Sequence, residues 1–153
     1  LFLYVYGHDD EELRALSDWT CTALQLANHW QDVARDLDQD RIYLPADTMT
    51  RHGYSYDDYL SRTADDRWCA LLADEVARAQ EWFDKGEELW QRCDPRLAVD
   101  LMMFSWGGQA VLSSIRNQGF DTWRKRPRVS KLKQFFLLMK ARRKWRAALK
   151  HAV

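Results

Sequence analysis

The chain has 153 residues, with 23 Lys and Arg against 23 Asp and Glu, so its formal charge is zero. That zero hides a division: residues 1–121 hold 11 basic and all 23 acidic residues (11 − 23 = −12), whereas residues 122–153 hold 12 basic and no acidic ones. A hydrophobic content of 46% with eight Trp can build a core for one domain, which excludes disordered, collagen-like and low-complexity classes. No apolar run approaches the ~18–20 residues that cross a bilayer, and Leu1 to Tyr6 is too short for a signal peptide and lacks its basic flank. Three cysteines, Cys21, Cys69 and Cys93, have no metal-ligand spacing and read as reduced thiols of a cytoplasmic protein, filling small core positions.

The six Gly and three Pro fall between long stretches of helical period, so the predicted class is all-α. The opening Leu1 to Gly7 reads as the end of an element, which predicts that the chain is part of a longer protein. A first long helix is predicted from Asp9 or Glu11 to about Leu37, with acidic residues in its first turn and an apolar stripe through Leu13, Leu16, Thr20, Ala23, Leu24, Ala27, Trp30 and Ala34. A connector follows through Arg41 and Pro45, with a turn at Gly53 and a short helix around Tyr56 to Ser61. Thr63 to Asp66 reads as a capping box for a second long helix reaching Cys93, and Asp94-Pro95 as the start of a third that Gly119 ends. Inside the third helix, Gly107-Gly108 signals either close packing or room for a ligand, since each glycine costs roughly 1 kcal/mol there against Ala. Phe120 to Pro127 is a turn, and Ser130 caps a last helix.

The chemistry centres on the run Asn28-His-Trp-Gln-Asp32-Val-Ala-Arg-Asp36, followed by Arg41 and Tyr43. Helical spacing places Asn28, Asp32 and Asp36 on one face, a turn apart. Such an oxygen ladder suits Mg²⁺, which keeps several waters and is held by one or two carboxylates plus substrate phosphate oxygens. Spacing alone decides nothing: at this acidic content about three acidic i,i+4 pairs are expected by chance, and three occur, Asp32/Asp36, Asp36/Asp40 and Asp84/Glu88. Context separates the first, because Asp32 and Asp36 sit among Trp30, Val33 and Ala34. His29, one residue off the ladder, reads as a packed or surface histidine rather than a base.

From Ala23 to Pro45 the sequence resembles the second aspartate-rich motif of the squalene/phytoene synthase family. Gly53-Tyr-Ser55, Gly107-Gly108, Gly119-Phe-Asp121 and Arg126-Pro127 resemble most its bacterial hydroxysqualene synthase branch, and the resemblance covers essentially the whole chain. It departs from the other branches at Arg35, where they place an acid, and at Gln31, where they place a basic residue.

The resemblance implies the C-terminal part of an isoprenoid synthase fold, with residues 1–121 as its helical body and 122–153 as a basic C-terminal helix of the same domain. It implies a Mg²⁺-dependent synthase acting on a prenyl diphosphate, presqualene or farnesyl diphosphate, and in this branch converting presqualene diphosphate to hydroxysqualene for squalene and hopanoid biosynthesis. Asp32 and Asp36 would be catalytic, Asn28, Asp32 and Asp36 would hold the metal, and Gln31, Arg35, Arg41 and Tyr43 would bind the diphosphate. For Arg41 and Tyr43 the plainer alternatives are a helix C-terminal cation and a packed aromatic. The family's first aspartate-rich motif does not occur upstream of Asp32, so the chain alone is predicted to be inactive. Presqualene diphosphate or phytoene synthases, and non-catalytic assembly factors related to the family, are the competing readings.

The 12 cations from Arg124 to Lys150, interleaved with Phe135, Phe136, Leu138, Met139 and Trp145, admit three roles. They are a helix on the anionic inner face of the cell membrane, a helix docked on the acidic body, or a nucleic-acid segment, of which the last is not expected.

Overall fold

The computed structural model describes residues 2–7 and 10–151, and every regular element among them is helical. In chain order these are α1 (Phe2–Val5), α2 (Glu11–Leu37), α3 (Ala46–Arg51), α4 (Tyr56–Leu60), α5 (Asp66–Lys85), α6 (Leu89–Arg92), α7 (Ala98–Asn117) and α8 (Lys131–His151). The all-α expectation holds.

Local chemistry accounts for most of the boundaries. The Asp10 carboxylate accepts from Glu12 N–H at 2.8 Å and caps α2, with Glu11 and Glu12 in the positive first turn. Ser55 and Asp58 form a reciprocal capping box on α4. Asp65, rather than Thr63, caps α5, accepting from Trp68 N–H at 3.0 Å. Gly119 and Phe120, at φ +67° and +63°, turn the chain after α7.

Two predicted helix boundaries need correction. The second long helix does not reach Cys93: it stops at Lys85, and α6 is a separate turn. Gly86 decides this, because a Cβ there would lie 2.2 Å from Thr20 Oγ1, and Thr20 Oγ1 donates to the Gly86 carbonyl at 3.4 Å. The chain breaks where its backbone meets α2. The third helix starts at Ala98 and not at Asp94, whose carboxylate instead accepts from Arg96 N–H in a preceding turn. Residues 46–51, between the predicted connector and the turn at Gly53, form α3, which is anchored because buried Thr48 donates to the buried Glu75 carboxylate at 2.8 Å.

The helices gather around α2, whose main neighbours are α5 and α7, while α8 lies against α7. The core joins Ala23, Ala27, Trp30 and Val33 of α2 to Trp68, Leu72, Val76 and Phe83 of α5 and Leu112 and Ile115 of α7. Burying the larger aliphatic and aromatic side chains among these contributes about 1.5–3 kcal/mol each. At one end Tyr54, Tyr59, Trp68 and Trp123 cluster in edge-to-face and tilted contacts, with Tyr59 and Trp68 each 4.9 Å from Trp123 between ring centroids. Trp68 Nε1 donates to the Phe120 carbonyl at 3.1 Å, which ties the turn after α7 to the core. Cys93 is buried as expected, Cys69 is half-buried, and Cys21 is exposed rather than a core residue. No helix among the described residues is long and apolar enough to cross a membrane.

Candidate functional site

The last four turns of α2 carry the acidic ladder. Trp30 and Val33 face the core, which turns Asn28, Asp32 and Asp36 together toward the opposite, more accessible side.

Arg126 decides the state of Asp32. Its Nε and Nη2 reach the two Asp32 carboxylate oxygens at 2.5 and 2.9 Å, a bidentate fork between residues 94 positions apart. Arg126 Nη2 also donates to Gln31 Oε1 at 3.0 Å, while Gln31 Nε2 donates to the Pro127 carbonyl at 2.7 Å. The buried Gln31 thus clamps the 126–127 turn onto α2, and exposed Arg35 adds a longer contact to Asp32 at 3.4 Å. The hydrogen-bonded Arg126 guanidinium is the main reason that the Asp32 carboxyl titrates below the ordinary carboxylate range, and Asp32 in turn raises Arg126.

Beside this pair lies a cavity of about 500 Å³. Asn28, Gln31, Arg126, Arg128 and Gln134 supply its polar side, and Leu24, Met103, Phe104 and Val111 its apolar side. The two glycines of α7 divide the roles foreseen for them. A Cβ on Gly108 would meet Phe83 Cζ at 2.3 Å and Leu24 Cδ2 at 3.0 Å, so this glycine permits close packing; around Gly107 nothing lies within 4 Å, and that backbone faces open cavity.

Neither Asp32 nor, a turn beyond it, Asp36 lines the cavity; the Asp36 charge acts on His29 and Tyr59. The half-buried His29 ring stacks on Tyr43 with 3.8 Å between centroids, and burial holds its pKa below the ordinary value, against the opposing pull of Asp36. Tyr43 is packed on one face and 45% exposed. Arg41 is exposed beyond the end of α2, its backbone N–H on the Asp36 carbonyl at 2.9 Å. The structure therefore joins Gln31 and Asp32 to Arg126, with Asn28 lining the same cavity, and sets Asp36, Tyr43 and Arg41 along the α2 C-terminus. Sequence reasoning did not place Arg126, Arg128 and Gln134 at the site; the signal for Arg126 was only its presence in the Arg126-Pro127 pair.

Residues 1–133 match the family model described as squalene/phytoene synthase. The chain belongs to the squalene/phytoene synthase family. Among solved structures, squalene synthase HpnC from Alicyclobacillus acidocaldarius superposes with a TM-score of 0.76 at 45% identity, covering 78% of this chain and 45% of that one. A dehydrosqualene synthase superposes equally well, 0.76, at 21% identity, and shows the shared isoprenoid synthase fold. Phytoene synthase of Thermus thermophilus is 30% identical over 136 residues, 88% of this chain and 46% of the relative. The 15-cis-phytoene synthase of Synechococcus elongatus is 32% identical over 108 residues, 68% and 34% respectively. The chain spans less than half the length of each of these squalene/phytoene synthase relatives.

Proposed function

We propose that the chain supplies the second aspartate-rich wall of a squalene/phytoene synthase that converts presqualene diphosphate to hydroxysqualene, acting in the cytoplasm and peripherally at the inner face of the cell membrane. The observation that carries this reading is the placement of Asn28 and of Arg126, the partner of Asp32, on a cavity whose other side is apolar. A diphosphate needs cations and polar groups, and a prenyl chain needs Leu24, Met103, Phe104 and Val111. The 45% identity with a squalene synthase over 78% of this chain, against 42% with a phytoene synthase over only 42% of it and 30% with another over 88%, favours the squalene side of the family.

The donor set suits Mg²⁺ chemically: Asn28, Asp32 and Asp36 carry oxygen donors on successive turns of one helix, and Asp32, whose two oxygens Arg126 holds here, would share them with the metal. Among the described residues no group of three or more His, Cys, Asp and Glu comes together as a cage, so these three residues would supply part of a coordination sphere and diphosphate and water the rest. When bound, Mg²⁺ neutralises charge developing on the departing diphosphate. This chain's residues orient the reactants. Arg126, held by Asp32 and Gln31, and the neighbouring Arg128 offer guanidinium groups to phosphate oxygens, while Arg35, Arg41 and Tyr43 stand outside the cavity along the α2 end as further contacts. The diphosphate leaves with the electron pair of the C–O bond; the cyclopropylcarbinyl cation rearranges, and water adds to it and loses a proton. Phe104 contributes an aromatic side chain to the lining where such a cation forms, and the apolar wall limits access to other water.

In the full-length protein, Asp32→Asn and Asp36→Asn are each expected to lower Mg²⁺-dependent diphosphate release from presqualene diphosphate by at least about a hundredfold, with the helical circular dichroism unchanged. Unchanged turnover would leave the fold as a binding scaffold. Phytoene or presqualene diphosphate as product would move the chain to another branch.

A further inference from the structure

The basic last helix is covered on one side and bare on the other. Towards α7, buried Ala141 packs with Trp145 against Ala98 and Met102. Lys144 lies over Trp90 at 4.7 Å and Lys140 over Trp106 at 4.6 Å, so these lysines serve contacts within the molecule. On the far side Leu132, Phe135, Phe136 and Met139 follow the i, i+3, i+4, i+7 pattern and are 48% to 65% exposed. At 100° per residue the two stripes are centred about 160° apart, so no rotation of α8 buries both against α7. The bare stripe continues into exposed Arg142, Arg143 and Arg146, which have no acidic partner among the described residues. Residues 122–153 contain no acidic side chain at all.

We propose that this outer face of α8 docks on an anionic lipid bilayer. The inference deepens the peripheral-membrane part of the functional reading, rests on it only for its biological purpose, and names the face that makes contact. Phenylalanine, leucine and methionine enter the headgroup and acyl boundary, and the three arginines meet the lipid phosphates. A second copy docked through the same face would bring the same unneutralised arginines, whereas an anionic bilayer supplies the charge that the face lacks across its whole width. The docked helix is also a wall of the cavity through Gln134, so one helix diameter, about 10 Å, separates that cavity from the bilayer.

Flotation of the full-length protein with phosphatidylcholine vesicles, with and without about one third phosphatidylglycerol, tests this. Binding is expected only to the anionic vesicles, weakening with salt. Phe135→Ser with Phe136→Ser, and separately Arg142→Gln with Arg143→Gln and Arg146→Gln, are each expected to lower that binding by about tenfold or more, with unchanged thermal unfolding. The arginine variants alter only exposed side chains and keep the test valid if the phenylalanine variants misfold. Absence of wild-type binding, or wild-type binding by folded arginine variants, overturns the proposal. So does gel filtration showing a vesicle-indifferent dimer that the phenylalanine variants convert to monomer. Vesicle binding by a protein that forms no prenyl product would refute the functional reading and leave the docking face standing; normal product formation without binding would do the reverse.

Discussion

Asp58 shows how much one side chain can organise. Its carboxylate accepts from the Ser55 backbone N–H at 2.9 Å and the Ser55 hydroxyl at 2.7 Å, and Arg67 reaches both of its oxygens at 3.1 and 3.0 Å. The Ser55 bonds first, then Arg67, hold its pKa down at about 2. A carboxylate with a depressed folded-state pKa stabilises the fold above the ordinary carboxylate range, and that contribution disappears as pH falls through its folded value. Asp58→Asn is therefore expected to lower the melting temperature at pH 7, with the gap to the parent protein closing as pH drops from about 4 to about 2. Thermal unfolding followed by circular dichroism over that range checks it, and a gap independent of pH would show that the carboxylate's charge is irrelevant. At this scale the sequence was informative about Asp32 and Asp36, whose spacing and apolar neighbours are local. It was silent on the partner of Asp32, because Arg126 is one of 23 cations and nothing near it in sequence distinguishes the one that folds back.

At the scale of elements, caps and periodicity located α2, α4, α7 and α8 to within a few residues, since these signals act over one or two turns. The errors arose where a neighbouring helix intervened. Gly86 sits in a stretch whose period continues to Trp90, and only the approach of Thr20 makes it a stop. α3 is too short to persist by its own propensity and forms because Thr48 and Met49 are buried against the rest of the molecule. The paired glycines of α7 give a sharp test. Gly108→Ala places a methyl 2.3 Å from Phe83 Cζ, so a loss of about 1–3 kcal/mol in chemical denaturation is expected from overpacking. Gly107→Ala meets open space and should be neutral or stabilising by up to about 1 kcal/mol, through helix propensity. Equal effects at the two positions would mean that α7 does not pack as described.

For the whole molecule, the split between acidic body and basic tail is bridged rather than kept apart. Arg126 and Pro127 bring the start of the tail onto α2, and Lys144 approaches Glu87 at 3.9 Å where α8 crosses the body. Arg126→Ala is expected to cost about 1 kcal/mol, a figure reduced for the partial exposure of both partners, because it removes the fork and leaves Asp32 without its main cation. Arg126→Lys, which keeps the charge without the planar fork, should recover only part of that loss, as read from denaturant midpoints. Full recovery would mean that charge alone holds the turn. Helical class, charge asymmetry, the position of the aspartate ladder and the family resemblance were all determined by the sequence itself, because period, capping and motif wording are properties of short stretches of chain. Tertiary structure alone decided that Arg126 answers Asp32, that Gly108 is packed while Gly107 opens on the cavity, and that the basic helix has one covered face and one bare one. Each of those facts depends on which distant side chains share a few ångströms of space, and contacts across 94 residues leave no periodic trace in the chain.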